Sequence, residues 1–489
     1  MNNLFLALKE QQKMVADQEK VLGKNHPDLA TSYNNLSSIY KAMNNLPLAL
    51  EYKQKAISIW EKVLDKDHPN LAISYNNLSL IYRPMGNTPL ALGYQQKAIT
   101  IQEKVLDKDH PDLATSYHNL SLIYQAMGNL SLALEYQQKA LAIREKVLDK
   151  NHPNLAQSYD SLSLIYQAMG NMPLALDYQQ KNIAIEEKVL DKNDPDLAGS
   201  YHNLSSIYKA MGKLLWALEY QQKAITIFEK ILDKYHPDLA TSYSNLSLIY
   251  QDMDKLPLAL NYQQKAIVIR EKVLDKDHPD LAISYSNLSV IYRVMDNLSL
   301  ALGYQQKAIT IQEKVLDKDH PNLASSYNNL STIYQAMGNL LLALEYQQKD
   351  IVICEKVLDK DHPDLATSYG NLSLIYKAMG NMPLALEYQQ KAIAIFEKVL
   401  GKNHLSLATS YNNLSGIYQN MGNITQAAFY INKVVLILQQ NFPNGHPNLT
   451  IALQSQKYIR FIQLLQARDI PSIMADEEMR EWLMEMMKK

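Results

Sequence analysis

Nine asparagines recur along the chain in a 42-residue register: Asn35, Asn77, Asn119, Asn203, Asn245, Asn287, Asn329, Asn371 and Asn413, with Ser161 as the one departure. A carboxamide offers a donor and an acceptor together, which suits pairing with a peptide backbone laid across it. Asparagine is also a poor helix-interior residue, because its side chain competes for the backbone. Three residues on, Leu80, Leu122, Leu164 and Leu248, with Val290 and Leu374, stand where the first copy has Ser38. Apolar groups beside amides make pockets for ligand side chains. One turn further, Lys41, Arg83, Lys209, Arg293 and Lys377 alternate irregularly with glutamines. Five cations there suit an acidic or C-terminal carboxylate ligand. A solvated helix flank accounts for the cations equally well. Ties between neighbouring copies would likewise account for the asparagines.

These residues sit in a repeat. The stretch Leu29–Tyr40 returns every 42 residues up to Leu407–Tyr418, and residues 26–445 hold ten copies. Residues 1–25 align with the second half of a copy, so a half repeat is expected there. Residues 446–489 open one more helix and then lose the pattern. They are expected to form capping helices, with a partner-docking helix as the other reading. Internal repetition of this length points to a solenoid rather than a set of globular domains.

Each copy reads as two helices. The first starts at the proline of His26-Pro27, where a missing N–H and a fixed φ suit the first helical position. Tyr33, Leu36, Tyr40 and Met43 are spaced for one apolar stripe, and the methionines are expected to be core filler. Gly86, Gly128, Gly170, Gly212, Gly338, Gly380 and Gly422 mark its end, replaced elsewhere by Asn44, Asp254 and Asp296. Those are the residues that best tolerate a left-handed cap. A second helix restarts at Leu46 and runs to about Asp65, with Ala49, Ala56 and Ile57 on its buried side. Helices of about 17 and 20 residues with a short connection must be antiparallel neighbours. Thr31, Asn35, Ser38 and Ala42 lie opposite the stripe and are expected to line a groove.

Tyr33, Asn35-Leu36-Ser37, Tyr40, Ala49 and Ala56 with the stop between the helices resemble the tetratricopeptide repeat. The 42-residue length, the His-Pro-Asp-Leu-Ala opening and the Ile-x-Glu-Lys-Val-Leu ending are similar to the repeats of kinesin light chains and their bacterial relatives. The resemblance implies an all-α, right-handed superhelical solenoid of antiparallel helix pairs. It also implies an extended peptide bound along the concave face, with the matching asparagines in contact with it. Kinesin light chains carry a heptad coiled coil ahead of their repeats. None precedes His26 here, so no motor role is implied.

The remaining features exclude more than they add. A formal charge of −2 gives no general pull toward nucleic acid or anionic membrane. One cysteine, Cys354, leaves no internal disulfide and no multi-cysteine zinc site. It occupies a variable position held elsewhere by Trp60, Gln102, Arg144 and Phe228, and reads as an inert thiol. Ten of the twelve histidines open copies, too far apart to share a metal. His118 and His202 replace Asn34 and are candidates for weak pH tuning. No secretory signal or membrane-length apolar run is present, so a cytoplasmic protein without cofactor is expected. No phosphate loop or one-off catalytic cluster stands out. The expectation is a non-enzymatic scaffold for a protein or an extended peptide of acidic character, with no nucleic acid or membrane partner. The alternative is the sensor or regulatory arm of a signalling or defence system whose effector enzyme is a separate chain.

Overall fold

The first helix of each repeat begins on a side-chain cap. In the computed structural model, His26 Nδ1 accepts the backbone N–H of Asp28 at 3.2 Å, and the other opening histidines repeat the bond. Where Asp194 stands instead, its carboxylate accepts from Asp196 N–H at 2.9 Å, so the cap survives the substitution. Where Leu405 replaces the proline, His404 still caps through Ser406 N–H at 3.2 Å. The helix ends on a left-handed residue, with φ of 76° at Gly338, 58° at Asn44 and Asp254, and 60° at Asp296. Asn45 N–H then bonds Tyr40 O at 2.9 Å and Asn44 N–H bonds Lys41 O at 3.0 Å. That pair of bonds satisfies carbonyls the helix end would otherwise leave unpaired.

Residues 2–443 and 445–488 are described, with side chains for 4–443 and 445–487. Met1, Asn444 and Lys489, which the expected half repeat, tenth repeat and terminal segment include, lie outside the described residues. Among the described residues there are 24 α-helices and no strand. The first helices run 16 residues, as in Pro27–Ala42, and the second helices 18, as in Leu46–Val63. The second helix stops short of Asp65 because Leu64 turns extended, at φ −108° and ψ 153°. Pro69–Tyr82 has only 14 residues. Pro84 offers no N–H to the preceding turn there, which shortens the helix.

Pairs of helices close on small residues. Ser37 Oγ donates to Ala49 O at 2.6 Å, and both side chains are fully buried. The bond recurs between Ser331 and Ala343 at 2.7 Å. Tyr40 stacks on Tyr52 with ring centres 5.6 Å apart. Leu29, Leu36, Ala56 and Ile57 and their equivalents fill the space between. Successive repeats are joined by bonds such as Tyr75 Oη to Glu61 at 2.7 Å and Lys104 to Asp67 at 2.9 Å. The methionines differ from expectation. Met127 is 49% exposed and Met337 46%, because each sits at the helix C-cap, where the turning chain covers one side only.

The chain forms two compact units, Met1–Asp233 and Lys234–Lys489. The first holds helix Asn2–Val21 and the helix pairs of repeats one to five. The second holds repeats six to ten and three further helices, Pro447–Gln466, Ile470–Ala475 and Glu477–Lys488. Ile470–Ala475 begins like any second helix, with Asp469 Oδ1 accepting Ser472 N–H at 3.2 Å, yet it ends after six residues. Trp482, on the last helix, packs edge-on against Tyr458 and Phe461 at 5.7 and 5.5 Å. Lys457 pairs with Asp476 and Glu478 at 2.9 and 2.7 Å. Among the described residues, no helix is long and apolar enough to cross a membrane.

Candidate functional site

Members of the asparagine series bond the preceding repeat. Asn119 Nδ2 donates to Asn76 Oδ1 at 2.9 Å, and Asn203 to Asp160 at 3.2 Å. Asn329 donates to Ser286 Oγ at 3.2 Å, and Asn371 to Asn328 at 2.8 Å. These amides tie adjacent first helices together. One bond uses only part of a carboxamide's hydrogen-bonding capacity. Asn35 is exposed, and Asn77, Asn245, Asn287 and Asn413 are half-buried.

Below them runs a glutamine row that sequence reasoning missed. Gln95, fully buried, donates from Nε2 to Asn76 at 2.9 Å and to Ser116 O of the next repeat at 3.2 Å. Asn76 thus accepts from two repeats at once. The signal was available, since a glutamine recurs one turn before the apolar Ile99 on the buried side of the helix. Lys53 replaces it in the first repeat, bonded to Asn34. Burial, helped by nearby Lys41, pulls its ammonium down to about 8. His118 takes the Asn34 place and pairs with Gln137 Oε1 at 3.0 Å. Burial pushes its imidazole down to about 4. It is therefore neutral at physiological pH, and the pH tuning read from the sequence does not occur there.

Leu80, Leu122, Leu164 and Leu248, on the first helices, are half-buried. Arg83, Lys209, Arg293 and Lys377 are also half-buried, and Lys41 is exposed. Its side chain is exposed as a whole, yet partial desolvation of the ammonium and then the charge of Arg83 hold it below its usual range. Lys377 reaches across a junction, and its Nζ lies 2.7 Å from where a Cβ on Gly416 would stand. Gly416 is the tenth repeat's counterpart of Leu80. At this junction the cation therefore lies over the next repeat's counterpart of Leu80.

The deepest variation lies at the Trp60 position, near the end of each second helix. Trp60, Arg144, Phe228 and Phe396 all bury large side chains there. Arg144 donates to Asn154 O and Ser158 Oγ, each at 2.8 Å, and burial lowers its guanidinium to about 10. Glu186 is pushed up to about 7, by burial first. Cys354 is the smallest occupant. Beside it Asp350, 2% exposed, stands where most repeats have alanine. Cys354 Sγ donates to Asp350 Oδ1 at 3.3 Å, and Gln347 Nε2 to Asp350 Oδ2 at 2.7 Å. Burial raises the Asp350 carboxyl to about 6. The Cys354 thiol is pushed up to about 12 by burial and by Asp350, so it is protonated and unreactive.

Around this pair a cleft of about 290 Å³ opens between first helices Pro321–Ala336 and Pro363–Ala378. Asn328, Asn329, Asp350, Cys354 and Ser368 line it, with exposed Ser325, Asp364 and Thr367 at the rim. Asn329 is thereby the one member of the predicted series placed in this cleft. Larger hollows, of about 650 and 620 Å³, lie between second helices around Tyr327 and Tyr201. Tyrosine–glutamate and lysine–glutamate pairs line both, as Tyr201–Glu187 and Lys223–Glu219 do around the second. Tyr327 donates to Glu313 at 2.8 Å, and Lys349 binds Glu345 at 2.7 Å and lies over the Tyr346 ring. Among the described residues no group of His, Cys, Asp and Glu has metal-ligand geometry.

Sequence comparison with curated proteins found no match. The family model of the tetratricopeptide repeat matches ten overlapping stretches, from 1–62 and 38–104 to 364–440. Among solved structures, the chain is similar to a protein from Podosopora anserina described as a kinesin light chain of nearly identical TPR-like repeats. That pair shows 28% identity, 42% of this chain and 97% of the other covered, and a TM-score of 0.38. The apo form of the quorum sensor NprR from B. thuringiensis aligns over 78% of this chain and 99% of its own, at 16% identity and TM-score 0.57. A Rap protein complexed with Competence and Sporulation Factor aligns over 76% and 99%, at 16% identity and TM-score 0.53. At those identities the last two likenesses concern the fold alone. The chain belongs to the tetratricopeptide repeat family.

Proposed function

We propose that this chain is a non-enzymatic scaffold that holds an extended peptide, or an extended segment of a partner protein, against its first helices. The observation that carries this reading is the cleft at Asn329, open on the first-helix side and lined by amide, hydroxyl and carboxylate groups. In the proposal the Asn35 series offers its remaining hydrogen-bonding capacity to a peptide backbone, and the Leu80 series packs ligand side chains. Lys41, Arg83, Lys209, Arg293 and Lys377 attract acidic groups of the ligand. Many similar shallow contacts on one chain give avidity for a long ligand. Changing Asn245, Asn287 and Asn329 together to Ala should abolish partner capture while helicity measured by circular dichroism stays within a few per cent.

A second reading makes the chain the regulatory arm of an assembly whose enzyme is a separate protein. A Rap protein of this fold is complexed with Competence and Sporulation Factor, which is in keeping with a ligand-responsive array. Co-purification with a protease, kinase or NTPase would favour this reading. A set of unrelated partners would favour the plain scaffold.

A further inference from the structure

The ten repeats are near copies, so one junction can be compared with another position by position. Cys354 corresponds to Arg270 two repeats earlier and to Arg144 five repeats earlier. At those junctions the chain fills the space with its own guanidinium. Arg270 donates to Ser244 and Ser284, and its other terminal nitrogen lies 3.5 Å from Thr241 Oγ1. In register these are Asn328, Ser368 and Ser325, three residues that line the cleft. Arg144 bonds Asn154 O and Ser158 Oγ and reaches Gln157 Oε1 at 3.4 Å. In register these are Asp364, Ser368 and Thr367, again lining residues. The serine hydroxyl that both arginines bond is kept as Ser368, and the Thr241 hydroxyl is kept as Ser325, while the arginine is missing.

The third junction also has what the other two lack. Ala140 and Ala266 are replaced by Asp350. Asp350 takes hydrogen bonds from the neutral Gln347, Cys354 and Ser368, and among the described residues no cation lines the cleft. Asp364 adds a second carboxylate at the rim. A carboxylate beside serine and amide oxygens, at a position where two other junctions seat a guanidinium, matches a planar multidentate donor better than an ammonium.

We propose that the cleft between the first helices of repeats eight and nine takes the guanidinium of an arginine side chain supplied by the bound peptide, with Asp350 as its counter-charge. This assignment rests on the groove reading above and names one side chain of the ligand. It also limits the acidic character expected of that ligand, since one position must be basic.

The test uses the full chain and a probe smaller than any peptide. Nα-acetylargininamide is titrated against the protein by saturation-transfer NMR, with the uncharged isostere Nα-acetylcitrullinamide and with Nα-acetyllysinamide alongside. The expected result is millimolar binding of the arginine probe, roughly ten-fold tighter than the citrulline probe. Two variants should each remove that preference: Cys354→Arg, which fills the cleft as repeats three and six do, and Asp350→Asn, which keeps the shape and deletes the charge. Cys354→Arg is chosen because the fold already accommodates arginine at that position twice. Equal binding of the arginine and citrulline probes overturns the proposal, as does no binding of either, or an arginine preference that survives Cys354→Arg. Partner capture that is lost on changing Asn245, Asn287 and Asn329 would still stand in those cases, so failure here is separable from failure of the groove reading.

Discussion

Asp350 is an acid held where its neutral form is favoured. Its carboxyl is raised from 3.8 to about 6 by burial, so the folded protein binds that proton more tightly than the unfolded chain does. The associated stability is complete below about pH 4 and is lost as pH rises through 6. Above that, the ionised buried carboxylate is a net cost. Replacing it by alanine, the residue at Ala56 and Ala98, should stabilise the protein at pH 7.5 by about 1–3 kcal/mol. The gain should vanish near pH 4. Urea denaturation of wild type and Asp350→Ala at the two pH values checks this, and an equal gain at both would contradict it. Cys354 was legible in the sequence as an occupant of a variable, inert position. Asp350 was not singled out, because a single Asp among alanines reads as noise until the cleft shows where it points. The glutamine row was missed for a related reason: amphipathic helices carry many glutamines, and only packing shows that Gln95 is fully buried.

Each repeat depends at its turn on one backbone conformation. Gly338 has φ of 76°, with open space around the position a Cβ would take. The cost of a side chain there is therefore backbone strain alone. Gly338→Ala should destabilise by about 1–2 kcal/mol, and the reverse change, Asn44→Gly, should be neutral or mildly stabilising. Pro84→Ala should restore the last half-turn that helix Pro69–Tyr82 lacks and stabilise by about 1 kcal/mol or more. Thermal melts of the three variants decide these points. Helix starts, stops and pairing were readable because proline, histidine and glycine act locally. The exposure of Met127 and Met337 was not readable. Their spacing fits the apolar stripe, while their place at the C-cap removes half of the cover. The second helices end near Val63 instead of Asp65 for a reason equally local, the extended Leu64.

At the scale of the molecule, near-identity of the repeats makes the departures informative. The fold class followed from period, spacing and resemblance, and the helices and the family match agree with it. The recognition surface was harder to read, because the same asparagine can hold a neighbour or a ligand, and Asn119, Asn203, Asn329 and Asn371 are shown holding neighbours. What separates the two roles is a binding measurement. The most direct one compares affinity capture from the native lysate on immobilised wild type and on the protein with Asn245, Asn287 and Asn329 changed to Ala, after circular dichroism has shown equal helicity. A scaffold that grips an extended ligand on its first helices predicts specific partners on the wild type and their loss on the variant. The same partners retained in equal amount on the variant would contradict it.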